Sequence, residues 1–196
     1  MKLHFYYGVM NASKSTNLLM IKHNYEVNNG KCLLITHSLD NREGKEGFIK
    51  SRVINKLFPA LALNEINADK LIKDFVFIHK VFPCVVLVDE AQFFSKKDIE
   101  QFTKIVDEYN IPVMCFGLKV DSNGNLFEGS AALLSYAEDI KEIKQICHCG
   151  KKATHILRFD KNGKVIKNGN QICIGAEEKY VSVCRKCWKE GKIKKA

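Results

Sequence analysis

The sequence lacks the features that mark membrane and secreted proteins. No apolar run approaches the roughly 18 to 20 residues that a helix needs to span a bilayer. The opening MKLHFYY has no small-residue cleavage site of the kind that ends a secretory signal, and no internal repeat or low-complexity segment is present. We therefore expect a globular, cytoplasmic protein that does not associate with membranes.

The sequence also gives no sign of a disulfide framework. Five of its eight cysteines follow residue 146, and this clustering without a secretory signal favours a metal site over disulfides. Cys32, Cys84 and Cys115 lie in the apolar segments KCLLIT, CVVLVD and VMCFG. We expect these three to be packed free thiols without a functional role.

An excess of positive charge is confined to one end of the chain. Residues 1–140 hold 16 Lys and Arg against 17 Asp and Glu, whereas residues 141–196 hold 15 against 5, giving a net charge of +9. Such a basic region attracts phosphates or polynucleotide. A Lys-rich tail such as GKIKKA is more often a solvated end, so we do not expect a nucleic acid partner.

Four short apolar runs alternate with segments of helical periodicity. The runs 3–7, 32–36, 84–88 and 113–117 are continuously apolar, which is typical of strands covered on both faces. The intervening helices are predicted at roughly 15–27, 68–80, 96–110 and 130–140. This order predicts an α/β domain over residues 1–144, a parallel sheet flanked by helices. Residues 145–196, with short strands, Gly-containing turns and cysteine pairs, predict a small separate lobe.

A phosphate-binding loop is indicated directly after the first strand. Residues 8–16, GVMNASKST, fit the P-loop pattern except that Ser13 occupies a glycine position. Backbone N–H groups of such a loop bind phosphate, Lys14 would neutralise it and Ser15 would ligate magnesium. The alternative is a helix N-terminus capped by Ser13 or Ser15, with no ligand.

Two carboxylates, Asp89 and Glu90, follow the apolar strand VVLV. Acidic residues at the carboxyl end of a strand lie where open α/β sheets bind ligands. Asp89 would hold magnesium, and Glu90 would be available as a base for an attacking hydroxyl or water. The alternative is that the pair only caps a helix.

Two cysteine pairs near the end of the chain predict a structural zinc site. Cys147 and Cys149 are separated by 34 residues from Cys184, which pairs with Cys187. Four thiolates are what tetrahedral structural zinc prefers. His148 and Cys173 remain alternative ligands. A zinc ion that joins the two ends of the segment between these pairs would suit a mobile substrate lid. The alternative is that it only stabilises a small lobe.

These motifs together resemble the type II thymidine kinases, the zinc-containing cytosolic family. The resemblance extends over nearly the whole chain and rests on five segments in the family's order: FYYGVMNASKST, DEAQFF, CFGLKVDSNGNLFEGS, ICHCGKKAT and GAEEKYVSVCRKCWKE. It implies phosphorylation of the thymidine 5′-hydroxyl by ATP, a structural Zn²⁺, Mg²⁺ bound with ATP, and a homotetramer.

The resemblance also implies a role for each matching residue. Glu90 would be the general base, and Tyr180 would be an aromatic residue of the lid. The residues expected at ATP and magnesium are Gly8, Asn11, Ala12, Ser13, Lys14, Ser15, Thr16, Asp89, Asp40 and Arg42. Those expected at the nucleoside, together with Tyr180, are Met10, Phe93, Leu118, Phe127 and Ile172.

Two site residues depart from the family pattern: Ser13 in the loop, and Ser122 where a phenylalanine is usual. Losing an aromatic ring from a base pocket costs on the order of 0.5 to 1.5 kcal/mol of ring packing. A second hypothesis is therefore a catalytically weakened P-loop protein that binds nucleotide or, through its basic lobe, nucleic acid. A third is an ATPase that activates water.

Overall fold

The computed structural model describes residues 1–40, 47–51, 56–166 and 179–193. Its strands are β1 (Leu3–Tyr7), β2 (Cys32–His37), β3 (Phe48–Ser51), β4 (Lys56–Pro59), β5 (Leu61–Leu63), β6 (Val85–Val88), β7 (Val113–Gly117), β8 (Asp139–Glu142), β9 (His155–Phe159), β10 (Val165–Ile166) and β11 (Lys179–Val183). Its helices are α1 (Lys14–Glu26), α2 (Ala68–His79), α3 (Lys96–Tyr109), α4 (Glu128–Tyr136) and α5 (Arg185–Glu190), with a short 3₁₀ helix at Ala91–Phe93.

The centre of the molecule is a six-stranded sheet in the order β5-β2-β6-β7-β1-β8. All of its neighbouring strands run parallel. The predicted α/β class is therefore confirmed, and the four apolar runs are its four inner strands. β7 lies between β1 and β6, so the loop after β1 and the acidic pair after β6 meet at one edge of the sheet.

Helices cover both faces of this sheet, which explains why the inner strands are largely apolar. Val85 and Leu87 of β6 pack on one face with Leu18 and Leu19 of α1. Val86 and Val88 point to the opposite face, where the apolar side chains of α2, α3 and α4 gather. Side chains alternate between the two faces along β6, and the same alternation predicts which face the residues at the end of the strand point to.

The helix boundaries follow local signals. The Asn67 side chain accepts a hydrogen bond from the Lys70 backbone N–H and caps α2. Ser95 and Asp98 form a reciprocal capping box at the start of α3. Among the residues described, no helix is both long and apolar enough to cross a bilayer.

The last helix of the predicted domain is shorter than expected. Periodicity indicated a helix at 130–140, but α4 ends at Tyr136 and residues 139–142 form β8. The backbone N–H of Glu138 donates to the Leu3 carbonyl, and β8 then pairs with β1. Pairing at the open edge of the sheet thus competes successfully with continuation of the helix.

Two of the three isolated cysteines depart from the predicted burial. Cys115 is buried in β7, Cys32 is half-buried, and Cys84 is exposed. Cys84 immediately precedes β6, so it lies at the end of the strand rather than within the covered part of the sheet.

The chain after residue 145 builds a second, antiparallel sheet in the order β10-β9-β11. Its apolar residues, among them Leu157 and Val183, join one cluster with Val9 and Ala12 of the loop after β1. The lobe therefore packs directly against the predicted phosphate loop.

Candidate active site

The loop after β1 has the compact backbone of an anion-binding turn. Asn11 and Ser13 both adopt left-handed conformations, with φ of 60° and 61°, and α1 begins at Lys14. At Gly8, a Cβ atom would lie 2.7 Å from the Ile143 carbonyl oxygen, so only glycine fits without displacement. Successive backbone N–H groups in such a turn converge on one point, as a phosphate requires.

The side chains of this loop do not act as a simple helix cap. Among the described residues, Ser13 accepts no capping hydrogen bond from α1. Lys14 is buried, and its Nζ donates to the Val9 carbonyl oxygen at 2.9 Å, which folds the ammonium group back over the loop. The charge at the start of α1 is thus held beside the converging N–H groups.

A hydrogen bond joins the loop to the acidic pair. The Ser15 hydroxyl donates to Asp89 Oδ2 at 2.7 Å, although the two residues are 74 positions apart. Asp89 is 2% exposed, and its other oxygen accepts from the Glu90 backbone N–H at 3.0 Å. A hydroxyl and a carboxylate this close supply the hard oxygen ligands that magnesium prefers, so the residues present fit that ion.

Glu90 is held in an unusual conformation beside a buried amide. Its φ is 52°, and Gln92 Nε2 donates to its Oε2 at 2.6 Å. Gln92 Oε1 in turn accepts from the Leu118 backbone N–H at 3.0 Å. A Cβ at Gly117 would lie 2.8 Å from this same oxygen, so glycine there makes room for the amide. The carboxylate is thereby fixed to the end of β7.

Aromatic rings lie next to this carboxylate. The Phe93 and Phe127 rings meet edge to face with centroids 5.9 Å apart, and Phe127 is buried while Phe93 is half-buried. Leu118 is held from its other side as well, because the Ser130 hydroxyl donates to its carbonyl oxygen at 2.5 Å. Phe94, by contrast, packs against Phe102 in the core.

The four predicted zinc ligands converge in the second lobe. The sulfur atoms of Cys147, Cys149, Cys184 and Cys187 all lie within 4.8 Å of one another. The Cys149 sulfur is 3.5 Å from that of Cys147 and 3.6 Å from that of Cys184. A tetrahedral zinc with bonds of about 2.3 Å places its sulfur ligands about 3.8 Å apart, so the cluster fits zinc.

The backbone beside this cluster favours the thiolate form of one of its four cysteines, Cys184. The Cys187 backbone N–H donates to the Cys184 sulfur and lowers the pKa of that thiol to about 7, which favours the thiolate. His148 is exposed and is not among the four converging residues, although its Nδ1 lies 3.7 Å from the Cys147 sulfur. Cys173 lies outside the described residues.

Comparison with known proteins identifies the family. The thymidine kinase family model matches residues 1–188. The chain belongs to the thymidine kinase family. The predicted resemblance is thereby confirmed, and with it the expectation of an enzyme.

Bacterial thymidine kinases match at similar levels over nearly their whole length. That of Idiomarina loihiensis is 46% identical over 189 residues, 96% of each chain. That of Mannheimia succiniciproducens is 44% identical over 184 residues, 94% of this chain and 93% of its own. That of Shewanella oneidensis is 44% identical over 191 residues, 96% of this chain and 97% of its own.

Among solved structures, the Pif1 helicase from Candida albicans aligns with a TM-score of 0.44 and 14% identity, covering 74% of this chain and 36% of that chain.

The structure locates most of the residues that the thymidine kinase resemblance singled out. Asp40 follows β2, and its backbone N–H donates to the His37 carbonyl oxygen. Met10 and Tyr180 both pack on the lobe cluster, and the Met10 carbonyl oxygen accepts from Ser182 at 2.7 Å. Arg42 and Ile172 lie outside the described residues.

Gln92 and His37 are site residues that sequence analysis did not predict. Gln92 could have been noticed as the one amide inside DEAQFF, between two carboxylates and two aromatic rings. His37 is buried, with its ring 5.9 Å from Phe93 and 4.8 Å from Phe94. Its Nδ1 accepts from the Leu39 backbone N–H, so it shapes the start of the segment that contains Asp40.

Ser122, where the chain departs from the family pattern, lies against the lobe. The Trp188 indole N–H donates to the Ser122 carbonyl oxygen at 3.0 Å. The same indole lies over Gly124, where a Cβ would be 3.2 Å from the ring. The loop from Ser122 to Gly124 is therefore positioned by an aromatic residue from the lobe.

Proposed function

We propose that this protein transfers the γ-phosphate of ATP to the 5′-hydroxyl of thymidine, with Glu90 as the general base. The observation that best supports this activity is the hydrogen bond between Ser15 and Asp89. It holds a phosphate-binding turn against an acidic strand end. Membership of the thymidine kinase family supports thymidine as the acceptor.

The phosphates of ATP would bind at the start of α1. Backbone N–H groups of residues 8–16 would surround the β- and γ-phosphates, with Asn11 and Thr16 at the rim, and Lys14 would balance their charge. Ser15 and Asp89 would hold Mg²⁺, and Asp40 and Arg42 would complete the surroundings. Magnesium, when bound with ATP, neutralises the charge that develops on the transferred group.

Glu90 would accept the proton of the attacking hydroxyl. As the new bond between O5′ and the γ-phosphorus forms, the bond to the bridging oxygen of the β-phosphate breaks and ADP leaves. The proton passes to the Glu90 carboxylate. Gln92 limits the rotation of that carboxylate, because its amide is itself fixed by Leu118. A base held in one orientation loses little freedom on reaching the transition state.

The thymine ring would lie among the apolar side chains near Glu90. Phe93 and Phe127 offer an edge-to-face pair, and Leu118 is held from both sides by hydrogen bonds. Met10 of the loop after β1, together with Ile172 and Tyr180 of the lobe, would close the pocket. Main-chain groups near Ile172 to Tyr180 would hydrogen-bond the base.

We assign residues 1–144 to the nucleotide-binding domain and residues 145–196 to a zinc-bound lobe with the substrate lid. The family resemblance implies a homotetramer in the cytoplasm. Analytical ultracentrifugation measures the subunit number directly.

The activity is tested by supplying purified protein with Mg-ATP and labelled thymidine. We expect thymidine monophosphate and ADP in equal amounts. Glu90→Gln should lower turnover by about 100- to 10,000-fold, the usual contribution of a general base, with ATP binding retained. Absence of monophosphate from folded, zinc-loaded wild-type protein would overturn the proposed activity, and normal turnover by Glu90→Gln would overturn the assigned base.

A second candidate, nucleic acid binding, is favoured by the concentration of positive charge in residues 141–196. It predicts salt-dependent retention on single- or double-stranded DNA, without transfer of phosphate. Elution from a polyanion column at low salt would count against it.

A further inference from the structure

One buried hydroxyl close to the phosphate site has no hydrogen-bond partner. Thr36, in β2, is 0% exposed, and within the described residues its Oγ1 makes no hydrogen bond. Buried hydroxyls in folded proteins are almost always paired, because removing them from water is unfavourable. Valine has nearly the same shape and would fill this position without that cost. The presence of threonine therefore indicates that its hydroxyl gains a hydrogen-bond partner when a ligand binds nearby.

The register of the sheet places Thr36 next to Asp89. Ile35 pairs with Val88 between β2 and β6, and the Asp89 backbone N–H donates to the Ile35 carbonyl oxygen at 2.9 Å. Thr36 and Asp89 are the next residues on the two strands. They are consequently neighbours at the carboxyl edge of the sheet, where parallel α/β sheets bind their ligands.

The two side chains also share a face of the sheet. Leu34 and Leu87 are paired in register and both pack in the cluster on the α1 side. Thr36 and Asp89 each follow by two residues, so they point the same way. For Asp89 this direction is confirmed by its hydrogen bond to Ser15 of α1. The unpaired hydroxyl is thus on the side of the sheet that faces the start of α1.

We propose that Thr36 is a positioning residue for magnesium: its hydroxyl hydrogen-bonds a water molecule of the magnesium shell that Ser15 and Asp89 hold. This inference rests on the proposed Mg-ATP-dependent function. Magnesium keeps several of its waters when it binds protein, and these waters need hydrogen-bond partners. Outer partners of this kind orient the ligands and tune metal affinity.

The test compares Thr36→Val, Thr36→Ser and the wild type. Binding of Mn²⁺, a spectroscopic substitute for Mg²⁺, is titrated in the presence of a non-hydrolysable ATP analogue and measured by electron paramagnetic resonance. We expect Thr36→Val to weaken Mn²⁺ binding by about tenfold, as for loss of other outer-shell partners. Thr36→Ser, which keeps the hydroxyl, should bind Mn²⁺ nearly as the wild type does.

The melting temperature of the ligand-free protein separates this role from packing. Thr36→Val removes an unpaired buried hydroxyl and should melt at the same or a higher temperature than the wild type, even though its metal binding is weaker. The inference is overturned if Thr36→Val binds Mn²⁺ normally, or if Thr36→Ser is as defective as valine. Wild-type protein that binds Mn²⁺ with the analogue but forms no thymidine monophosphate would refute the proposed function and not this role.

Discussion

The Gln92 amide donates to the Glu90 carboxylate across 2.6 Å, and both side chains are almost completely buried. The same amide accepts from the backbone of Leu118, at the far end of β7. The carboxylate proposed as the base is consequently tied to the wall of the proposed thymine pocket. One side chain therefore contacts both the proposed base and the proposed thymine pocket.

Replacing Gln92 with leucine should impair turnover and leave ATP binding intact. The variant removes the hydrogen bond from Gln92 to the Glu90 carboxylate and the acceptor that Gln92 offers to the Leu118 N–H. We expect kcat to fall by at least about tenfold. This loss should be smaller than that caused by removing a general base, which is about 100- to 10,000-fold. The KM for ATP should stay within about twofold.

Gln101→Leu is the matched control for this experiment. Its side chain accepts a hydrogen bond from the Ala68 backbone N–H at the start of α2, away from the acidic pair. Steady-state kinetics of both variants give the comparison. Equal losses of kcat in the two variants would show that Gln92 only supports the fold.

Replacing Ser13 with glycine should relieve backbone strain in the loop of residues 8–16 and lower the KM for ATP. Ser13 has φ of 61°, a conformation that costs a residue with a Cβ on the order of 1 kcal/mol. Glycine removes that strain but loses about 0.5 to 1 kcal/mol of backbone entropy. We expect the free energy of unfolding to change by less than about 1 kcal/mol, and the KM for ATP to fall.

The control is Ser135→Gly, at an exposed position in the helical conformation of α4. Glycine there relieves no strain and should lower the free energy of unfolding by about 0.5 to 1 kcal/mol. Denaturant titrations compare the two variants. If both substitutions destabilised the protein equally, the left-handed strain at Ser13 would be refuted.

Removing one cysteine of the four-sulfur cluster should abolish zinc binding. Cys149 and Cys84 are both exposed, but only Cys149 belongs to the cluster. We expect Cys149→Ser to lose the metal and to melt at a lower temperature, because structural zinc contributes folding energy directly. Cys84→Ser should retain both properties. Elemental analysis and thermal melts are the measurements, and stoichiometric zinc in Cys149→Ser would contradict the assignment.

His37 should make stability depend on pH. Burial lowers the pKa of His37 below its ordinary value of 6.5, an effect that the nearby Asp98 carboxylate opposes. Just below that pH the unfolded chain binds a proton that the folded protein does not. The free energy of unfolding therefore falls as the pH decreases through this window.

The variant His37→Asn keeps an acceptor for the Leu39 N–H but cannot titrate. We expect it to be less stable than the wild type at neutral pH, because the ring contacts with Phe93 and Phe94 are lost. Its stability should decrease less between about pH 7 and pH 5.5. Denaturant titrations across that range measure the difference, and an unchanged slope would contradict the role of His37.

The inner part of the fold was predictable from sequence because its signals are local. Continuous apolarity marked β1, β2, β6 and β7. β2, β6 and β7 are almost entirely buried, whereas in β1 only Leu3 and Phe5 are buried and the other three residues are half-buried. β8 was missed because Asp139–Glu142 has the polar composition of a solvated end. An edge strand is held by backbone pairing, which leaves no periodic pattern of side chains.

The residues of the candidate site were predictable where a motif is contiguous and not where the fold brings distant residues together. GVMNASKST and the acidic pair identified Lys14, Ser15 and Asp89. Nothing in the sequence indicated that Gln92 would reach the Leu118 backbone, or that Thr36 would lie beside Asp89. Both relationships depend on strand register, which local patterns do not specify.

The shared cluster of Val9 and Ala12 with the lobe residues Leu157 and Val183 has a pharmacological consequence. A compound that binds between these loop and lobe residues would distort the loop after β1 from the side that packs on the lobe. Such an inhibitor would need no likeness to adenosine or to thymidine, and raising the concentration of either proposed substrate would not displace it by direct competition.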